Sequence, residues 1–294
     1  VYTPLRGLSD LFRASMYEYY YSTDVRDLYI AGQIRPKFFT SEPSYLAAGF
    51  VVVATVWVAC SRGRWKYLQL GLASIIALFL MRSPIVLIAV PVAAATYLTF
   101  HEGRRARVRV RDIRAIGGFV LVGLASLWLG ATVMSGRIEE LQTGHDASTV
   151  IRLVTPAIIA FEVLGVHPVS GVGVGGKEYM EREVRSVFLE FNIDPYQYGE
   201  KVGDKITNAF WLFWIYFGFG TGLLLAALLN GVFRTMIGTG RGVIWVWAMV
   251  FLIAQTRGAM VGPTFWGYAF AFCAAATVAT DATRSGAPGA CQRR

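Results

Sequence analysis

The sequence predicts an all-α protein: a polytopic transmembrane helix bundle of about seven spans with a long, partly helical external loop. Three observations carry this. The 294 residues are 55% hydrophobic and 16% charged, with a mean hydropathy of +0.48, more apolar and less charged than an ordinary soluble domain. Apolar segments recur near 45–60, 67–81, 84–100, 115–134, 207–229, 243–256 and 264–280. Basic residues gather in the short connections on one side of these segments, as the positive-inside rule requires. The net charge of +9 therefore reads as a topology signal, and nucleic acid is not an expected partner.

Residues 1–44 form an external N-terminal segment whose five basic and five acidic residues cancel. Its tyrosines at 17, 19, 20 and 21 read as interface anchors more readily than as a sugar-stacking platform. Residues 45–134 hold four transmembrane helices, 135–206 a large external loop, 207–280 three more helices and 281–294 a disordered cytoplasmic tail. Arg62, Arg64 and Lys66 mark one cytoplasmic loop. Arg104, Arg105, Arg107, Arg109, Arg111 and Arg114, opposed only by Glu102 and Asp112, mark a second. Arg234 and Arg241 mark a third. Alternation from these anchors puts residues 1–44, the turn at Arg82, the central loop and the turn at Arg257 on the outer face. Several segments fall short of the roughly 20 residues that cross a bilayer, so flanking aromatics and arginine stems extend them.

The central loop holds seven Lys or Arg against eleven Asp or Glu. From Ser148 to Leu164 its pattern suits a helix, with Ser148 as N-cap and Ser148, Arg152, Thr155 and Glu162 on one polar stripe. Pro156 is expected to kink this helix or end its first part. The segment is expected at the membrane interface or re-entering the bundle, its stripe turned to an aqueous cavity. Arg152 has two readings: its stem snorkels along apolar surface, or its planar, permanently charged fork binds a diphosphate. The cost of keeping an ionisable group among membrane segments favours the second. The glycine run Gly171 to Gly176 lacks the context of a P-loop or a dinucleotide fingerprint. A tight, closely packed turn is its first reading and an anion nest its second. From Lys177 to Asn192, Met180, Val184, Val187, Phe188 and Phe191 recur at helical spacing beneath a charged face, the pattern of a cover helix.

Cys60, Cys273 and Cys291 have no metal-ligand spacing and read as inert thiols. The first residue is Val1, and no basic leader with a short apolar region follows it, so a signal peptide is not expected.

Four motifs in chain order resemble those of the O-antigen ligase and polymerase superfamily. Arg35-Pro36-Lys37-Phe38-Phe39-Thr40-Ser41-Glu42-Pro43-Ser44-Tyr45 is similar to the signature preceding a span in many Wzy-type polymerases. Met81-Arg82-Ser83 is similar to a Ser-Arg-Ser/Gly element at the outer end of a span. Arg152 followed by His167-Pro168-Val169-Ser170-Gly171-Val172-Gly173 is similar to the family's Arg, then Pro-Leu-x-Gly-Val-Gly. Thr207-Asn208-Ala209-Phe210, continuing to Gly218-Phe219-Gly220, is similar to its His-Asn-x-Phe/Leu and downstream Gly-x-x-Gly. The resemblance covers roughly residues 35–230 and implies that further spans precede this chain. Thr207 stands where ligases carry a histidine, which shifts weight from ligase to polymerase.

The resemblance implies a glycosyltransferase of the bacterial cytoplasmic membrane, its active site facing the periplasm or outside. Its substrate is an undecaprenyl-diphosphate-linked glycan, and its surroundings are membrane lipids and other polysaccharide-assembly proteins. Neither a cofactor nor a metal is expected. Arg82 and Arg152 are the catalytic candidates for stabilising the leaving diphosphate, with Arg35 and Arg257 as further cations. Glu42 is the candidate base for the acceptor hydroxyl, or else a helix N-terminal carboxylate. Asn208, Gly171 and Gly173 are candidate substrate-binding residues. The rival activities are ligation to lipid A core and, in another class, flipping or transport of lipid-linked glycans.

Overall fold

The computed structural model describes residues 29–30, 33–34, 43–61, 65–81, 83–101, 150–176, 180–191, 193–194, 203, 206, 208–256 and 261–284. These residues are helical apart from their connections and one two-residue hairpin, in which β1 (Tyr29–Ile30) pairs antiparallel with β2 (Gln33–Ile34). The expected fourth segment, residues 115–134, lies outside the described residues, and the other six coincide with helices. Among the described residues, one helix, Ala209–Ile237, is long and apolar enough to pass as a membrane span. The chain divides into two compact units, residues 1–139 with 282–294 and residues 140–281.

In the first unit, α1 (Pro43–Cys60) opens on a proline, whose missing N–H costs nothing in the first turn. Ala47, Val51, Ala54, Thr55 and Val58 are buried along it, and Thr55 Oγ1 returns a bond to Val51 O at 2.6 Å. α2 (Lys66–Met81) answers with Leu70, Ser74, Ala77 and Leu78, the 4, 3, 1 spacing of a helix stripe. Leu68, Leu72 and Ile76 on the remaining surface are exposed, so α2 is apolar on both faces. Lys66 ties the two helices together: Nζ donates to Val58 O at 2.7 Å and Ser61 O at 2.8 Å, satisfying carbonyls at the end of α1 that have no intrahelical partner.

The third expected span is not one regular helix. Ser83 is extended, as a residue before proline is biased to be. Pro84–Ile88 is a 3₁₀ turn, and the α-helix α3 (Ala89–His101) begins only after it. Pro84 and Pro91 contribute no N–H to the ladder here, which favours a tighter first turn.

The second unit contains α4 (Thr155–Val166), α5 (Glu181–Glu190), α6 (Ala209–Ile237), α7 (Gly240–Thr256) and, as far as residue 281, α8 (Pro263–Arg284). Its core joins Ile159 and Val163 of α4, Val184, Val187 and Phe188 of α5, and Leu212 and Ile215 of α6. The amphipathic reading of α5 holds for Met180, Val184, Val187 and Phe188, all buried, while Phe191 lies past the helix end and is exposed. Farther along α6, Phe233 meets Trp247 of α7 edge-on at 5.2 Å, and Trp247 Nε1 donates to Asn230 Oδ1 at 3.2 Å. Trp245 of α7 meets Phe272 of α8 at 5.9 Å. Gly238, left-handed at φ 68°, ends α6 by donating to Arg234 O.

Candidate functional site

The site is built at the start of α6, where three chain segments meet. The helix expected from Ser148 to Leu164 is in fact composite: Val150–Val154 is a π turn, and the α-helix starts at Thr155 with Pro156 in its first turn. In a continuous α-helix the carbonyl of Arg152 would accept from the N–H of residue 156, and a proline has none. Asn208 supplies the missing donor, its Nδ2 lying 3.1 Å from Arg152 O.

Asn208 is wholly buried, with 0% exposure, and each of its amide groups is used. Oδ1 caps α6 by accepting from Phe210 N at 3.1 Å and Trp211 N at 3.3 Å, two of the donors a helix start leaves unpaired. Nδ2 donates to Arg152 O and also to Gln255 Oε1, at 3.0 Å. One side chain thus joins the π turn, the start of α6 and the end of α7. Gln255 was not a candidate from sequence, since nothing in its local pattern separates it from a polar helix-end residue.

The polar stripe expected along 148–164 is divided. Thr155 is fully buried, its Oγ1 without a hydrogen-bond partner among the described residues, whereas Glu162 is exposed. A π turn advances each residue through a smaller angle than an α turn, so the spacing from Arg152 to Thr155 no longer keeps them on one face. Ser148 lies outside the described residues. Arg152 itself is half-buried on the π turn.

The glycine run docks against a break in α6. Gly218 is non-helical, at φ 63° and ψ −175°, so the carbonyls and amides flanking it lose their helical partners. The turn after α4 replaces them. Val172 N donates to Ile215 O and Gly173 N to Tyr216 O, both at 2.9 Å. In return Phe219 N donates to Pro168 O at 2.7 Å and Thr221 N to Val169 O at 3.0 Å. Gly171 N donates to His167 O. The amides of Gly171 and Gly173 are therefore committed within the protein; the turn is closely packed at Gly171, in line with the first reading of the run, whereas Gly173 and Gly175 are exposed with open space where a Cβ would stand. His167 lies at the end of α4, where its N–H donates to Val163 O at 2.7 Å.

Of the candidate residues, the structure brings together Arg152 and Asn208 and places Gly171 and Gly173 against the kink of the same helix α6. Glu42, Arg35, Arg82 and Arg257 lie outside the described residues, as do Thr207 and His145.

No similar curated protein and no similar solved structure was found. A family model described as WcaD colanic acid polymerase matches residues 5–265, a range that covers most of both compact units and all four motifs. The chain, with its proline-interrupted Arg152 helix tied to Asn208 and its glycine turn seated on α6, belongs to the WcaD colanic acid polymerase family.

Proposed function

We propose that this chain polymerises lipid-diphosphate-linked oligosaccharide repeat units into exopolysaccharide or O-antigen, at the outer face of the bacterial cytoplasmic membrane. Membership of a family of membrane-embedded polysaccharide polymerases supports the reaction class. Helices that are apolar on both faces, such as α2, support a bundle of several spans. The positions of the arginine-rich loops support an outward-facing central loop. α6 is broken at Gly218, and the part after the break alone approaches the roughly 20 residues that cross the hydrocarbon, which supports placing its first turns, where Asn208 and Arg152 meet, toward the interface.

The single observation that carries the proposal is the anchoring of Arg152. A cation serves catalysis when it is already in place where negative charge develops, and Pro156, the π turn and Asn208 fix the backbone that bears this one. In the proposed reaction an acceptor sugar hydroxyl attacks the anomeric carbon of the donor. The bond from that carbon to the phosphate oxygen breaks, and the polyprenyl diphosphate leaves with the electron pair. Arg152 and Arg82 take up its growing charge as guanidinium forks, in place of a metal ion, with Arg35 and Arg257 as further cations. Glu42 accepts the hydroxyl proton. Asn208 supports the arginine, and Gly171 and Gly173 shape the adjoining wall. Thr207 at the position of the ligase histidine counts against transfer to lipid A core, since a threonine hydroxyl is no base at neutral pH.

The experiment is polymer formation by purified protein from lipid-linked repeat units. Arg152→Lys keeps the charge and loses the fork, and is expected to lose most polymer. Polymer of wild-type length from that variant would contradict the diphosphate role.

A further inference from the structure

A chain of amide orientations runs from α6 to Gln255. The backbone donors of Phe210 and Trp211 fix Asn208 Oδ1 toward the helix, which turns Nδ2 toward Arg152 O and Gln255. A donor at that place requires Gln255 to answer with Oε1. Its Nε2, on the other arm of the planar amide, is consequently turned away from Asn208 with two donors to offer. Among the described residues no hydrogen bond uses Nε2, and Gln255 is only half-buried, near the C-terminal end of α7. A second observation comes from the π turn that Asn208 also joins: the buried hydroxyl of Thr155, at the junction of that turn and α4, has no hydrogen-bond partner among the described residues. An amide oriented through Asn208, which itself joins three segments, and with its own donors unspent, is a preorganised hydrogen-bond donor.

We propose that Gln255 is a further substrate-binding residue, its Nε2 donating to an oxygen of the lipid-linked glycan beside Arg152, either a phosphate oxygen or a sugar hydroxyl. This rests on the polymerase reading for the identity of the ligand. The orientation that makes it possible is imposed by the N-terminal amides of α6 through Asn208.

Two substitutions separate this role from a purely structural one. Gln255→Glu keeps the acceptor for Asn208 and replaces the donor by a carboxylate oxygen. Gln255→Leu removes both. Affinity of the purified full-length protein for the lipid-linked repeat unit is measured directly, so that binding is read apart from turnover. Both variants are expected to bind about tenfold more weakly than wild type, roughly the worth of one good hydrogen bond. Binding by Gln255→Glu should recover as pH falls through the carboxylate range, because the protonated carboxyl regains a donor, and Gln255→Leu should show no such recovery. The same titration with polyprenyl diphosphate lacking the glycan identifies the oxygen: a loss there too assigns a phosphate, and a loss confined to the glycan-bearing lipid assigns a sugar hydroxyl. Wild-type affinity in Gln255→Glu at neutral pH would overturn the proposal. Wild-type protein that binds the lipid-linked unit without extending it would overturn the polymerase reading and leave the role of Gln255 decided by the binding data.

Discussion

Gly171 and Gly218 leave each other no room for a side chain. A Cβ on Gly218 would stand 2.6 Å from Gly171 N, and one on Gly171 would stand 2.7 Å from Gly218 N and closer still to Ile215 O. Both residues also have φ near +60°. The break in α6 and the turn that repairs it are thus one unit of backbone, four hydrogen bonds running between residues 168–173 and 215–221.

Alanine at either glycine should therefore be costly. Gly171→Ala and Gly218→Ala each combine a left-handed backbone with a backbone clash, and each is expected to lose about 1–3 kcal/mol or more from the strain alone. Gly173→Ala is the control, since its φ is 80° but a Cβ there meets nothing within 4 Å. Thermal unfolding of the three detergent-solubilised variants should rank Gly173→Ala the most stable. Equal losses would show that the close approach at Gly171 and Gly218 is not limiting.

Asn208 tests the tie to Arg152. Asn208→Ala removes the cap of α6 and leaves Arg152 O without its donor, a combined loss of about 2–4 kcal/mol. Asn208→Asp keeps the cap but sets a carboxylate oxygen against Arg152 O, so it is expected to remain better folded than the alanine variant yet to lose polymerising activity. Full activity in the aspartate variant, measured by product chain length, would detach Asn208 from the site.

Thr155 carries a buried hydroxyl without a partner among the described residues, a group whose desolvation they leave uncompensated. Thr155→Val keeps the shape and removes that cost, and is expected to raise stability by about 1–3 kcal/mol. A simultaneous fall in turnover, compared at equal amounts of folded protein, would indicate that the hydroxyl serves substrate.

Lys66 closes the connection from α1 to α2 through two carbonyls. Lys66→Met preserves the stem and removes the charged donor, and should destabilise the first unit by about 1.5–3 kcal/mol. Protease sensitivity at the connection between the two helices gives the readout, and unchanged sensitivity would mean that water satisfies those carbonyls as well.

The helices were legible from sequence because apolar periodicity and length are local properties. The burial of Val184, Val187 and Phe188 beneath the charged face of α5 follows from their spacing alone, and the interruption near Pro156 follows from one missing N–H. The π turn did not follow, because its stability depends on a donor 56 residues away. Gly218 was visible only as part of a motif; its role as a kink depends on the distant turn that takes over the freed backbone groups. Gln255 was missed for the same reason, its orientation being inherited through Asn208 from α6. Local pattern reports which segments are helical. It carries no record of which orphaned carbonyl finds which remote donor, and here those remote pairings build the candidate site.

The most direct measurement of the central claim is incubation of the purified protein, reconstituted in lipid, with lipid-linked repeat units as sole substrate. Longer glycans on the polyprenyl carrier, with release of polyprenyl diphosphate, are the predicted result. Glycans that stay at one repeat length, or that grow only by transfer to added lipid A core, would contradict it.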